Sequence, residues 1–474
     1  MKMNEKLTQA MDHISDEHIT EAAAPKVSRK RSLLRIAAAV LALALLLKLP
    51  GLPMVIQAQT VASASESRQT EHPDRDDYKD YEQYRLDADA WMVEREQRTA
   101  QVAAATETLT PFLRDTTAGY LSDAQGQNRV WSPVNAFISL AMLAEVTDGE
   151  SRSQVLSALG IPDLDTLRAQ VGAIWEEVYR DGNEVCKLAN SLWLDKALTY
   201  NQKTMDDLAY YHYADIYQAD LSSARAGKAL RAWLNNNTGG LLKDYTGSSA
   251  FPPEAVLTLA STVYLQAKWS TEFNPVNNTQ DTFHAPGGEI TATFMNAKLR
   301  QMNYYWGDTF GAVNLGLKNG TRMWLFLPDE GKTVDDVLAE GRYWDLLLPT
   351  NVIEGENSKY VKVNLSMPKF DVSSGGDISP MLKALGITDI FSLETSDFSA
   401  ITSDSPVFVT SVNQAARVIA DEQGVKAASY IEIPGAGAAM PPEEIIDFVL
   451  DRPFLFVIAD YNGIPLFAGV VNNP

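Results

Sequence analysis

The chain reads as an α+β protein: helices lead, and a large mixed or antiparallel sheet follows. Three observations predict this. From about Ala100 the apolar residues fall at helical spacing. Strand-like runs dominate the second half. No linker-like change of composition interrupts the span from Ala100 to Pro474, so one large domain holds both.

The elements follow in order. "TETLTPFLRDTTAGYL" has helical spacing, and "SPVNAFISLAMLAEVT" is a strongly apolar helix with Pro133 near its start, where its missing N–H is harmless. "DLDTLRAQVGAIWEEVYR" is amphipathic. The runs "AVLTLASTVYLQAKW", "RMWLFLPDE", "YVKVNLSMPKFDV" and "VFVTSVNQAARVIADE" read as strands. The closing "PFLFVIADYNGIPLFAGVV" predicts a hairpin turning at Asn462-Gly463.

Composition narrows the function. Lys+Arg 40 against Asp+Glu 61 gives a net charge of -21, which argues against broad nucleic-acid binding. The single cysteine, Cys186, forbids an intramolecular disulfide framework. His212 and His284 have no Cys or His partner at ligand spacing, so no metal site is readable, and no motif implies a cofactor.

The N-terminal segment predicts that the N-terminus stays inside the cell and the residues after the apolar run lie outside. Residues 1–32 read as a cytoplasmic tail ending in the basic cluster Lys26, Arg29, Lys30 and Arg31. Residues 33–56 are mostly apolar and suffice as a membrane anchor or signal segment. "VASAS" offers Ala62 and Ala64 as a small-residue cleavage site, whereas the tail of about 30 residues is long for a signal peptide and favours an uncleaved anchor. Residues 57–99 read as a polar, acidic spacer, part-helical at most from Asp87 onward. The domain proper then covers 100–474.

The stretch "DEQGVKAASYIEIPGAGAAMPPEE", Asp421 to Glu444, is ambiguous by itself. Val425, Ala427, Ser429, Ile431 and Ile433 share one parity, as the core face of a strand would. Pro434, Gly435, Gly437, Pro441 and Pro442 then break regular pairing. An edge strand running into a loop satisfies both halves.

One enzyme pattern is present in outline. Ser366 and Lys369 of "SMPK" have the Ser-x-x-Lys spacing of penicillin-interacting serine enzymes. That serine must start a helix, whereas Ser366 lies in a strand run, and Lys332-Thr333 comes before it instead of after.

The motifs, taken in order, resemble those of a serpin. "NRVWSP" (Asn128 to Pro133), "LANSLWL", and Trp233, Thr238 and Gly240 of "AWLNNNTGGLL" match the family's first half. Lys268-Trp269 followed by Phe273, then "MPKFDV", "ALGITDIFS", "SDFSAI", "DRPFLFVI" and "PLFAGVVNNP" continue in the family's sequence. The resemblance covers roughly Ala100 to the end. It implies the serpin fold: helices around a large main sheet plus smaller sheets, with an exposed reactive loop.

The same resemblance implies function. Serpins offer the loop as bait to a protease, and after cleavage its first half inserts in the main sheet, a case of strand addition. The hinge would comprise Glu422, Gly424, Val425, Ala427, Ser429 and Ile431, with Val425 the first side chain to enter the sheet. Counting fourteen positions from the hinge glycine, Gly424, gives Ala438. Counting back two residues from Pro441 of the Pro-Pro-Glu gives Ala439. The bait bond is therefore expected at Ala438-Ala439. Small alanine suits an elastase-like or subtilisin-like serine protease with a shallow primary pocket. A sheet-opening polar cluster maps to Ser132, Asn135, Ser261 and Gln414. Lys369, Glu422 and Trp269 would steady the closed loop.

The hinge departs from the family's run of Thr and Ala at Val425, Lys426, Tyr430 and Ile431, yet its inward parity carries no charge. The expectation is an extracellular, monomeric, bacterial-type inhibitor, membrane-associated only through its N-terminal segment. The alternatives are a non-inhibitory serpin serving as a binding or structural module, and a cell-envelope serine enzyme.

Overall fold

Nearly every residue of the closing hairpin is buried, and that hairpin organises the rest of the fold. The computed structural model describes residues 58–66, 73–180, 185–243, 251, 255–348, 357–403, 407–425 and 443–474. The elements in chain order are β1 (Gln59–Ala62), α1 (Tyr81–Leu121), β2 (Arg129–Trp131), α2 (Pro133–Val146), α3 (Gly149–Leu159), α4 (Leu164–Val178), β3 (Val185–Asp195), α5 (Gln202–Tyr211), β4 (Ala214–Ala219), α6 (Ala224–Asn237) and β5 (Leu257–Lys268). There follow β6 (Thr279–Ala285), β7 (Gly288–Trp306), β8 (Phe310–Gly316), β9 (Arg322–Pro328), α7 (Val334–Glu340), α8 (Arg342–Asp345), β10 (Ser358–Pro368), β11 (Phe370–Asp377), α9 (Ser379–Ala384), β12 (Asn413–Ala420), β13 (Gly424–Val425), β14 (Ile445–Val449), β15 (Phe454–Ala459) and β16 (Pro465–Val471).

The strands form two systems. The larger runs β14-β10-β7-β8-β9-β15-β16-β2, with β6 on β7. The hairpin β15/β16 turns at Asn462-Gly463, where Asp460 Oδ1 accepts the Ile464 N–H at 2.6 Å. Both faces of the hairpin are covered, so its sequence is continuously apolar instead of alternating. The other system has the order β1-β4-β3-β5-β13, with the antiparallel pair β11-β12 beyond it. Helix α2 packs against both β5 and β16, which explains why it is apolar nearly all round. Its N-terminal Pro133 follows Ser132, in extended conformation, as expected.

Three boundaries differ from the sequence reading. The stretch expected as a spacer contains β1, which pairs antiparallel with β4 through Gln59↔Gln218 and Thr60↔Tyr217. The Ala64 N–H donates to Asp215 Oδ1 at 3.1 Å and the Ser65 N–H to Ala209 O at 2.9 Å. Four residues are too few for periodicity to reveal. Helix α1 starts at Tyr81, capped by Asp80, although Val102 is its first buried residue. The run from Val407 becomes a strand only at Asn413, because Val409 N–H and Val412 O bond to Ile390 and Ile378 instead of to a neighbouring strand. Among the described residues no helix is long and apolar enough to cross a membrane. The tail 1–32 and the anchor 33–56 lie outside the described residues.

Candidate functional site: a seam beneath the loop hinge

β12 ends at Ala420, and the chain then reverses. Asp421 Oδ1 accepts the N–H groups of Gln423 (2.9 Å) and Gly424 (3.3 Å), while Asp421 N–H donates to Gly424 O at 3.2 Å. This side-chain-braced turn sends Gly424 and Val425 back down as β13, antiparallel to β5, with Gly424↔Lys268 and Val425↔Ala267. Gly424 has φ +152°, and a Cβ there would sit 2.5 Å from Lys268 Cα and 2.9 Å from Trp269 N. Only glycine allows so close an approach.

Below Val425, β5 pairs with no strand on this side among the described residues, and β12 pairs only with β11. A cleft separates the two strands, enclosing about 620 Å³, part of it open to solvent. Its walls are Ser261–Leu265 of β5 and Ala415–Ile419 of β12. Ser132, Asn135 and Phe467 contribute from beneath, and Thr238, Leu241 and Leu242 from the turn after α6. Val425 closes the upper end and is 5% exposed. Val425, the side chain expected to enter the sheet first, is already seated there, because the Asp421 turn directs it. The expected hinge residues Ala427, Ser429 and Ile431, and the bond Ala438-Ala439, lie outside the described residues.

The three residues expected to steady the loop meet at the top of the seam. Lys369 Nζ lies 2.9 Å from Glu422 Oε2, and Asn278 Nδ2 donates to Glu422 Oε1 at 2.5 Å. Burial alone would raise the Glu422 carboxyl. The Lys369 ammonium, backbone hydrogen bonding and the Asn278 amide outweigh it, holding the carboxyl below its usual range. Trp269, 1% exposed, donates its indole N–H to Asp421 O at 2.7 Å, and its backbone N–H bonds Gln423 O at 3.1 Å. Lys369 is also the lysine of the "SMPK" pattern; its ammonium is engaged by Glu422, while Ser366 lies within β10 and not at a helix start.

The polar cluster is not one network. Asn135 and Ser261 form a reciprocal pair: Ser261 Oγ donates to Asn135 Oδ1 at 2.6 Å, and Asn135 Nδ2 to Ser261 O at 3.3 Å. Across the seam, Gln414 Nε2 reaches Tyr120 Oη and Val130 O, each at 3.4 Å. Ser374 Oγ accepts the Val130 N–H at 2.7 Å and donates to Val130 O at 3.0 Å. Ser132 Oγ donates to Leu466 O at 2.6 Å, fixing α2 to the hairpin. One pair thus belongs to the β5 bank and one set to the β12 bank, so the cluster itself does not tie the two banks together. Tyr120 and Ser374 were missed from sequence. Tyr120 ends a long helix, and Ser374 sits in "SSGG", which reads as a loop.

With this geometry in view, comparison with known proteins decides the family. The family model for serpin (serine protease inhibitor) matches residues 114–474.

The chain belongs to the serpin family.

Serpin-Z1C of Triticum aestivum is 28% identical over 368 residues, covering 73% of this chain and 90% of that protein. Neuroserpin of Mus musculus is 26% identical over 370 residues, covering 74% and 87%. Among solved structures, the native state of the thermophilic serpin tengpin matches with TM-score 0.66 at 24% identity, over 80% of this chain and 95% of that one. Human thyroxine-binding globulin matches with TM-score 0.67 at 20% identity, over 79% and 99%. At these identities the structural likeness speaks for the serpin fold alone. The strand β1 lies outside the residues that the family model matches.

Proposed function

We propose that this serpin traps an elastase-like or subtilisin-like serine protease as a suicide substrate, with the bait bond at Ala438-Ala439. The observation that carries this reading is β13. Two hinge residues already lie between β5 and β12, above a seam whose strand edges are unpaired on both sides among the described residues.

The seated residues set the register for the rest. Val425 opposes Ala267, so continuing the antiparallel ladder on β5 brings Ile431 opposite Ser261. Continuing the Asp421–Gly424 reversal on β12 brings Ile431 opposite Gln414. Both registers, if continued, would bring Ile431 between two members of the expected polar cluster, which supports the reading. Parity agrees: Ala416, Val418 and Ala420 of β12 are buried, as are Leu265 and Ala267 of β5, so Ala427, Ser429 and Ile431 would face inward with Val425.

The chemistry follows. The protease's serine Oγ attacks the Ala438 carbonyl; the C–N bond breaks, and the Ala439 amine leaves with a proton. The freed segment then extends the ladder along the ten residues of β5 below Ala267, roughly 33 Å at 3.3 Å per residue. The acyl-linked protease moves with it. Pulling its serine from the oxyanion hole stalls deacylation.

The reading places the domain outside the cell, tethered by residues 33–56, and bacterial in type. A cut after Ala64 would remove β1 from the edge of the main sheet, which favours retention of the anchor. A carrier role, as the name of thyroxine-binding globulin suggests for that relative, is the alternative reading. The test is incubation with an elastase-like protease followed by a denaturing gel. A covalent complex is expected, and the released C-terminal fragment should begin at Ala439. Ala438→Arg should shift capture to trypsin-like proteases. Cleavage without any complex would favour the binding module.

A further inference from the structure

The seam has an outer cover as well as a floor. Helix α6 ends in a compact turn, in which Gly240 N–H bonds Asn235 O at 2.9 Å and Leu241 N–H bonds Thr238 O at 3.0 Å. The turn rests on the β5 bank so closely that a Cβ on Gly239 would lie 2.6 Å from Cζ and Oη of Tyr264. On the β12 bank, Arg417 Nη1 donates to Leu241 O at 3.2 Å. Asp371 of β11 grips the other side of that guanidinium, accepting from Nε at 2.7 Å and Nη2 at 2.6 Å. The planar fork fixes the direction in which Arg417 points. One turn of chain therefore touches Tyr264 on one bank and is fastened to Arg417 on the other.

Tyr264 and Arg417 lie on the same, outward parity of their strands, so a strand continuing β13 between β5 and β12 would pass beneath the turn Gly239–Leu241.

We propose that Arg417 is a strap across the seam: its hydrogen bond to the Leu241 carbonyl must release before the loop can insert between β5 and β12. Arg417 acts here as a positioning residue on the rate of insertion, not on the attack at the bait bond. The proposal rests on the inhibitory reading for its purpose, though not for its test.

The test uses the full-length chain with its loop intact or nicked. Losing one hydrogen bond from a charged group corresponds to roughly a tenfold rate change or more. The wild type and Arg417→Ala are nicked in the loop, and the rate at which each gains thermal stability is followed. Arg417→Ala should convert roughly tenfold faster, and Arg417→Lys, which keeps a charge without the fork, should lie between. A rate equal to wild type would overturn the strap, even if the melting temperature fell. Should Arg417→Ala not fold, Asp371→Asn loosens the fork and should also accelerate conversion. If the wild type traps no protease at all, the inhibitory reading fails, and the nicked-loop rates still decide the strap.

Discussion

The two strand systems of this molecule are built to different degrees of completion. In the larger one, β9, β15 and β16 are each paired on both sides and buried almost throughout. In the other, β5 has a long flank unpaired among the described residues and is only half-buried from Leu257 to Ser261. The same chain thus contains a finished sheet and one that stops short. The difference teaches where energy is held: the finished sheet supplies the stability that lets the second remain split. An unpaired strand flank costs backbone hydrogen bonds, which on the proposed mechanism the loop would supply after it is cut.

The comparison breaks first where the finished sheet is damaged. Phe326 is fully buried between the rings of Phe310 and Tyr343. Phe326→Ala should cost about 3–5 kcal/mol. Calorimetry should show it lowering the intact and the loop-cleaved forms alike, leaving the gap between them unchanged.

Next in size is a change aimed at the seam. If insertion continues the β5 register, Ala427 would come opposite Leu265 on the inward face, with Val418 across the seam. Ala427→Arg would bury an unpaired charge at a cost of several kcal/mol. The bait bond should still be cut, but the protease should be released active. A denaturing gel with a parallel protease assay reads this; equal complex yield would count against insertion.

A smaller effect belongs to the seated hinge. Gly424→Ala forces a Cβ against β5 and should cost about 1–3 kcal/mol. Hydrogen exchange should then quicken at Val425 and Ala267, and the inhibitor should be consumed as substrate more often.

The smallest concerns Lys369. Its ion pair with Glu422 is partly exposed, so Lys369→Ala should cost about 0.5–1 kcal/mol. The sign with pH is fixed by the lowered Glu422 carboxyl. Its contribution is present above the ordinary glutamate pKa and is lost as pH falls through the lower folded value. Melting curves between pH 3 and 7 should show this loss in wild type and less of it in Lys369→Ala.

Much of this was legible in the sequence, for stated reasons. The hairpin at Asn462-Gly463 and the proline-started α2 follow from local chemistry. The parity of Val425 to Ile433 gave the inward face that β13 now adopts at its first member. Lys369, Glu422 and Trp269 could be brought together only by the family resemblance, since they are far apart in the chain. What stayed hidden was tertiary. β1 is too short to carry periodicity. The split of the polar cluster depends on which bank each residue joins. Arg417 reads as an ordinary exposed strand residue until Leu241 is seen above it.

The central claim is that the split sheet is completed by its own loop. Insertion would add ladder bonds along β5 and β12, each worth about 1 kcal/mol net, and bury Ile431 and Ile433. Val425, already seated, adds nothing further. Differential scanning calorimetry on intact protein and on protein nicked in the loop, with both fragments retained, measures this directly. The nicked form should melt higher, by roughly 10 °C or more at a few degrees per kcal/mol. A nicked form melting at or below the intact temperature would contradict insertion and leave a serpin whose seam stays open.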